Sequence, residues 1–219
     1  MALAFQKNID PNTSFALWKI EETAADLYAQ LQLDEREKAY LDGLKHDKRY
    51  LHWLGTRVLL RKMINTPYYI DCRVDDHGKP YLVNFPHHIS LSHSYDYAAV
   101  MISEHKLVGI DIEIIKHKIE RIANKFLVQE ELDFIDLVNP IEHLYACWCA
   151  KEAIYKLQGR STISFKDHIR LAPFAYHDSG ELQATLVAPG ISWSAKVQFE
   201  KFEQYMLAYL SSEEGVYAK

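Results

Sequence analysis

From Val108 to Glu113 the chain reads Val-Gly-Ile-Asp-Ile-Glu, with apolar and acidic side chains in alternation. That pattern predicts a half-buried β-strand, on which Ile110, Ile112 and Ile114 face one way and Asp111 and Glu113 the other. Further on, Trp-Cys-Ala-Lys-Glu-Ala-Ile-Tyr-Lys at 148–156 contains mostly good helix formers and neither Gly nor Pro, so it predicts a helix. On that helix Glu152 and Lys156 lie one turn apart on one face, with Trp148 one turn earlier. Trp148 and Ile154 imply that the helix is partly buried. A stretch of seven residues holding Ser92 and His93 reads as a strand, as do Tyr97–Ser103 and Tyr205–Ser211, Gly78-Lys79-Pro80 as a turn, and Glu130-Glu131 as an acidic helix start.

If strand and helix pack together, Asp111, Glu113 and Glu152 converge with lysines beside them. Three crowded carboxylates repel unless a cation neutralises them. Three oxygen ligands, completed by water and phosphate oxygens, suit magnesium. A surface helix with an intrahelical Glu-Lys pair and an exposed acidic strand face would be the purely structural reading of the same residues.

The two halves of the chain echo one another. Set in register, Glu35 falls on Glu130, Tyr50 on Tyr145, Trp53 on Trp148 and Arg61 on Lys156. Phe15–Glu21 partners Val108–Glu113, and Tyr97–Ser103 partners Tyr205–Ser211. A repeat of this kind predicts an α+β (α/β) fold of two similar packed halves, 1–104 and 105–219. Each has a small sheet and a helix pair, and a ligand cleft lies between them. Where the second half carries Glu152 the first carries Arg57, so one helix would bring a metal ligand and the other a phosphate-binding cation.

Composition narrows the classes. With 219 residues, 48% hydrophobic and 25% charged, the chain resembles an ordinary globular protein with a full core. No apolar run is long enough to span a membrane, and the N-terminus lacks a signal-peptide pattern. Cys72, Cys147 and Cys149 have no CxxC spacing, which argues against a zinc site or a disulfide framework and makes a cytoplasmic location the expectation. A net charge of −5 disfavours general nucleic-acid binding. Basic residues are nevertheless concentrated from Lys45 to Lys62, including His46, Arg49, His52 and Arg57.

The strand and helix motifs together resemble the signature of the 4′-phosphopantetheinyl transferases, G-[IV]-D-[IVL]-E followed by W-x-x-K-E-[AS]-x-x-K. His87–Val100 is similar to the family's segment built on F-x-[IV]-S-H-S, and Gly78-Lys79-Pro80 to its G-K-P turn. The resemblance spans about Arg49 to Gly159 and points to the long, single-chain Sfp type, a pseudo-dimer of two α/β halves and by that account a monomer. It implies transfer of the phosphopantetheine arm of coenzyme A to a serine of an acyl or peptidyl carrier protein, with Mg2+ held by Asp111, Glu113 and Glu152. It further implies that Ser92 and His93 meet a cofactor phosphate, that Lys79 and Pro80 contact adenine, and that Lys151 and Lys156 offset phosphate charge. Arg49, His52 and Arg57 would supply the remaining cations. By spacing, Glu131 falls where the Sfp type places a glutamate proposed as general base; water beside Glu113 or Glu152 is the other acceptor for the serine proton. An exposed basic stretch with Lys116, Lys118, Arg121 and Lys125 would receive the acidic carrier. The rival from another class is a non-catalytic coenzyme A or nucleotide-binding module. A Ser-His-Asp hydrolase built on Ser92, His93 and Asp96 fails, because triad members come from separate segments and no G-x-S-x-G elbow is present.

Overall fold

The computed structural model describes residues 3–44, 48–160 and 162–213. Lys45 and His46 of the basic run therefore lie outside the described residues. Strands β1 (Leu3–Asp10) and β2 (Thr13–Lys19) open the chain, followed by helices α1 (Ala24–Tyr28), α2 (Glu35–Gly43) and α3 (Lys48–Ile64). A small hairpin, β3 (Cys72–Val74) and β4 (Pro80–Leu82), leads to β5 (His88–Ser94) and β6 (Tyr97–Ser103). The second part begins with β7 (Leu107–Ile114), a 3-10 turn at His117–Ile122, and two short helices, α4 (Ala123–Phe126) and α5 (Gln129–Leu132). The long α6 (Pro140–Gln158), α7 (Phe165–His168), β8 (Ile169–Leu171), β9 (Ser179–Ala188), β10 (Ile191–Phe202) and β11 (Tyr205–Ser212) complete it.

Helix limits follow from local chemistry. Asp34 and Glu37 cap one another's backbone amides at the start of α2, as Thr23 and Asp26 do for α1. Pro140 sits in the first turn of α6, and Gly159 ends that helix in the left-handed conformation at φ 72°.

One antiparallel sheet has the order β1-β2-β6-β5 and the other β7-β11-β10-β9-β8. The orders β2-β6-β5 and β7-β11-β10 are the same connectivity used twice: a strand, a helical excursion, then a hairpin whose last strand returns beside the first. The segments that echo in sequence occupy these matching places, β2 with β7, α3 with α6, and β6 with β11.

Alternation along β2 and β6 feeds two cores. Ala16, Trp18, Ala98, Val100 and Ile102 pack under α3 with Leu54, Val58 and Leu59. Phe15, Leu17, Tyr97, Ala99 and Met101 face the other way, onto Val108, Ile110, Ile112, Tyr205, Leu207 and Tyr209 of β7 and β11. The far side of that second sheet is covered by α6 through Ala146, Cys149, Ala150, Ala153 and Leu157. The layers thus run helix, sheet, sheet, helix, with an apolar core at each of the three interfaces. The cysteines are free thiols within these cores. No helix among the described residues is long and apolar enough to cross a membrane.

Candidate active site

Strand β7 presents Asp111 and Glu113 toward α6, while Ile110 and Ile112 enter the inter-sheet core. The two elements approach unusually closely at Gly109. A Cβ there would lie 2.0 Å from the Ala153 carbonyl oxygen, so only glycine permits the contact. Glu152 is the neighbour of Ala153, and this approach brings it within reach of the β7 carboxylates.

Desolvation raises the Glu152 pKa to about 7, and the charges of Asp111 and Glu113 add to the effect against the nearby Lys156 ammonium. Glu113 is also shifted upward, by burial first and Asp111 second. Asp111, 4% exposed, accepts from Lys156 Nζ at 2.7 Å and from Ser92 Oγ at 2.8 Å, both at Oδ1. Its Oδ2 is buried without any hydrogen-bond partner. A buried carboxylate oxygen left bare is costly. Among the described residues no three acids stand in a ready-made ligating cluster; Lys156 and Ser92 hold Asp111, and Ser94 holds Glu113 Oε2 at 2.8 Å. The donor set, all hard oxygens with mutual repulsion and one orphaned acceptor, still fits a small divalent cation.

A pocket of about 240 Å3 opens beside this cluster. Lys79, Pro80, Ser90 and Leu91 line it from the N-terminal half, and Glu152, Tyr155, Lys156 and Gly159 from the C-terminal half. Lys79 reaches across to donate to the Leu157 carbonyl at the end of α6, and its stem lies against Gly159. Burial lowers its pKa. Tyr155 was not singled out from sequence, although its position one turn from Glu152 carried the signal.

Outside the lining of that pocket, His93 of β5 stacks on His52 of α3 with ring centroids 4.3 Å apart. His52 Nε2 must carry a proton, since its partner 2.7 Å away is the Tyr95 carbonyl oxygen. Desolvation, then the His52 and Lys156 charges, push His93 down to about 4, although one side of its ring stays open to solvent. His93 lies close enough to Lys156 and Asp111 to feel both charges. Arg49 is exposed on α3 one turn before His52.

Four expected roles need correction. Ser92 is 6% exposed, and its hydroxyl is used between the Ile112 amide and Asp111 rather than offered to a ligand. Arg57 points to the other side of α3, where it stacks on Trp53 and lines a crevice with Glu37 and Ile70. The repeat places it opposite Glu152 in sequence, but a helix face is set by rotation, and that of Arg57 turns away from the cleft. Lys151 is wholly buried, with Phe126 O, Glu131 Oε2, Phe165 O and Ile169 O around its ammonium at 2.7–3.2 Å. Glu131, equally buried, also accepts from the Val128 and Leu171 amides at 3.0 and 2.8 Å. Neither is open to phosphate or to a serine hydroxyl. The pair clamps α5 and β8 to α6.

Comparison with known proteins agrees with the geometry. The family model of the 4′-phosphopantetheinyl transferase superfamily matches residues 107–210. The chain is 30% identical over 134 residues to the 4′-phosphopantetheinyl transferase gsp of Aneurinibacillus migulanus, covering 58% of this chain and 55% of that protein. It is 34% identical over 116 residues to the 4′-phosphopantetheinyl transferase AcpT of Escherichia coli K12, 50% of this chain and 58% of that one. A Haemophilus influenzae protein provisionally designated a 4′-phosphopantetheinyl transferase is 37% identical over 92 residues, 37% of each chain. The chain thus spans little more than half the length of the longest-matching of these relatives. The matched region holds the acidic strand, α6 and every strand of the second sheet except its last residues, and through it the chain is similar to the 4′-phosphopantetheinyl transferase superfamily.

Proposed function

We propose that the chain transfers the 4′-phosphopantetheine arm of coenzyme A to a serine of an acyl or peptidyl carrier protein, releasing adenosine 3′,5′-bisphosphate. The observation that carries this reading is the bare, buried Asp111 Oδ2 beside Glu113, Glu152 and Lys156 at the edge of a pocket shared by both halves. Asp111, Glu113 and Glu152 would hold Mg2+, which when bound supplies charge neutralisation at the diphosphate. Lys79 and Pro80, which line the pocket, would meet the adenine. Arg49, His52 and His93 would meet the phosphates.

The serine hydroxyl attacks the phosphorus that bears pantetheine, and the bond to the bridging oxygen breaks. Catalysis of such a transfer is chiefly positioning and charge stabilisation. Lys156 is the cation that meets the leaving oxygen and stabilises or protonates it. With Glu131 committed to Lys151, the serine proton passes to water beside Glu113 or Glu152.

The exposed side chains of Lys116, Lys118, Arg121 and Lys125 follow directly on β7, with Ile119 and Phe126 anchoring the segment inside. An acidic carrier would dock there. Replacing Lys118 and Arg121 by Glu is expected to raise KM for the carrier severalfold, leave coenzyme A affinity unchanged and lessen the salt sensitivity of turnover. Equal loss toward both substrates in steady-state kinetics would contradict this site. The halves 1–104 and 105–219 would act as a pseudo-dimer of the Sfp type in a cytoplasmic monomer.

The test is intact-mass measurement of several apo carrier proteins incubated with coenzyme A and Mg2+. Gain of one phosphopantetheine, lost in Asp111→Ala with folding retained, is the expected result. Coenzyme A binding with no transfer to any carrier would favour the non-catalytic binding module.

A further inference from the structure

Strand β7 is the edge of its sheet, and its outward amides meet no backbone partner from β5. They meet a ladder of serine hydroxyls instead. Ile110, Ile112 and Ile114 donate to Ser90, Ser92 and Ser94 Oγ at 3.0, 3.2 and 3.0 Å. Serines every second residue along β5 match the alternation of amides along β7. The intervening Ile89, Leu91 and His93 face the α3 side.

The direction of each bond is fixed by chemistry. An amide only donates, so each hydroxyl accepts from β7 and has its single proton left to give. Ser92 gives it to Asp111 Oδ1 and Ser94 to Glu113 Oε2, both at 2.8 Å. Opposite Ser90 stands Gly109, which has no side chain to receive one.

We infer that Ser92 and Ser94 are positioning residues for the cation site, each selecting which carboxylate oxygen is occupied by protein and which is presented to the ion. Ser92, together with Lys156 Nζ at 2.7 Å, engages Oδ1 and leaves Oδ2 of Asp111 as the oxygen for the cation; Ser94, engaging Oε2, leaves Oε1 of Glu113. Ser90 performs the seam function alone and serves as the internal control. This inference rests on the cation reading of the cleft given above.

The experiment is titration of the full chain with Mn2+, reading free ion by electron paramagnetic resonance, for wild type and for Ser90→Ala, Ser92→Ala and Ser94→Ala. Loss of an outer hydrogen bond to a ligand costs about 10- to 100-fold in metal affinity. Ser92→Ala and Ser94→Ala are expected to weaken Mn2+ binding by at least about tenfold on that scale, and Ser90→Ala by less than about twofold. All three should lower the melting temperature, since each loses a seam bond. Equal affinities across the three variants, or equal weakening in all of them, would overturn the inference while leaving the cation site intact. Absence of saturable Mn2+ binding in the wild type would remove the cation reading and this inference with it. Should Ser92→Ala fail to fold, Ser94→Ala, at the less enclosed end of the ladder, decides the matter against Ser90→Ala.

Discussion

At the scale of single residues, the chemistry divides between groups that face the cleft and groups that hold it in shape. Glu152 belongs to the first kind. Its pKa of about 7 means that a proton must leave before a cation binds, so affinity should rise as pH passes upward through about 7. Isothermal titration with Mg2+ across pH 6 to 8 checks this; a flat profile would contradict it. The same shift carries a stability sign. Between its ordinary 4.5 and about 7 the folded chain holds a proton that the unfolded chain has lost, so stability falls as pH rises through that window and levels off above it. Glu113 acts in the same direction and His93 in the opposite one, so the comparison of wild type with Glu152→Gln in chelator isolates the contribution of Glu152. A melting curve of the variant less steep in pH than wild type is expected. Lys151 belongs to the second kind. Lys151→Met should cost about 3–5 kcal/mol by stranding Glu131 in the core, measured by urea unfolding. Unchanged stability with weakened coenzyme A binding would restore its role as a phosphate ligand.

At the scale of elements, periodicity was enough to find the strand and the helix, because alternation and helix composition are local properties. The side of α3 on which Arg57 lies was not legible, since repeat register does not determine helix rotation. Lys151 misled for a related reason: a lysine beside a cleft-facing glutamate points about a quarter turn away, here into the α5–β8 side of α6. The serines of β5 were visible as small strand residues, but their partner strand was not, because no local signal specifies which edge they meet. Gly109 is where element packing is most exacting. Gly109→Ala would force β7 away from the Ala153 carbonyl, and a loss at or above the usual overpacking cost of about 1–3 kcal/mol is expected in denaturant titration, with Glu152 drawn away from Asp111. An alanine variant of wild-type stability would show that the approach is not tight.

At the scale of the whole molecule, the segments that echo in sequence lie at matching places in the orders β2-β6-β5 and β7-β11-β10, and the layers explain why neither sheet buries its apolar faces without the other. Phe15, Leu17 and Met101 from one sheet and Ile110, Ile112 and Leu207 from the other form a single core, and the serine ladder joins the sheets at their edge. Heat unfolding by scanning calorimetry should therefore show one transition, with Leu207→Ala lowering it as a unit at a cost of about 2–5 kcal/mol; two separable transitions would mean independent halves. The candidate site depends on this joining, because the pocket takes Lys79 and Pro80 from one half and Glu152 and Lys156 from the other. The most direct measurement is anomalous diffraction from crystals grown with Mn2+ and coenzyme A. A peak bounded by Asp111 Oδ2, Glu113 and Glu152, with the diphosphate between it and Lys156, is the predicted result. A peak elsewhere, or coenzyme A lying outside the cleft between the halves, would contradict the account.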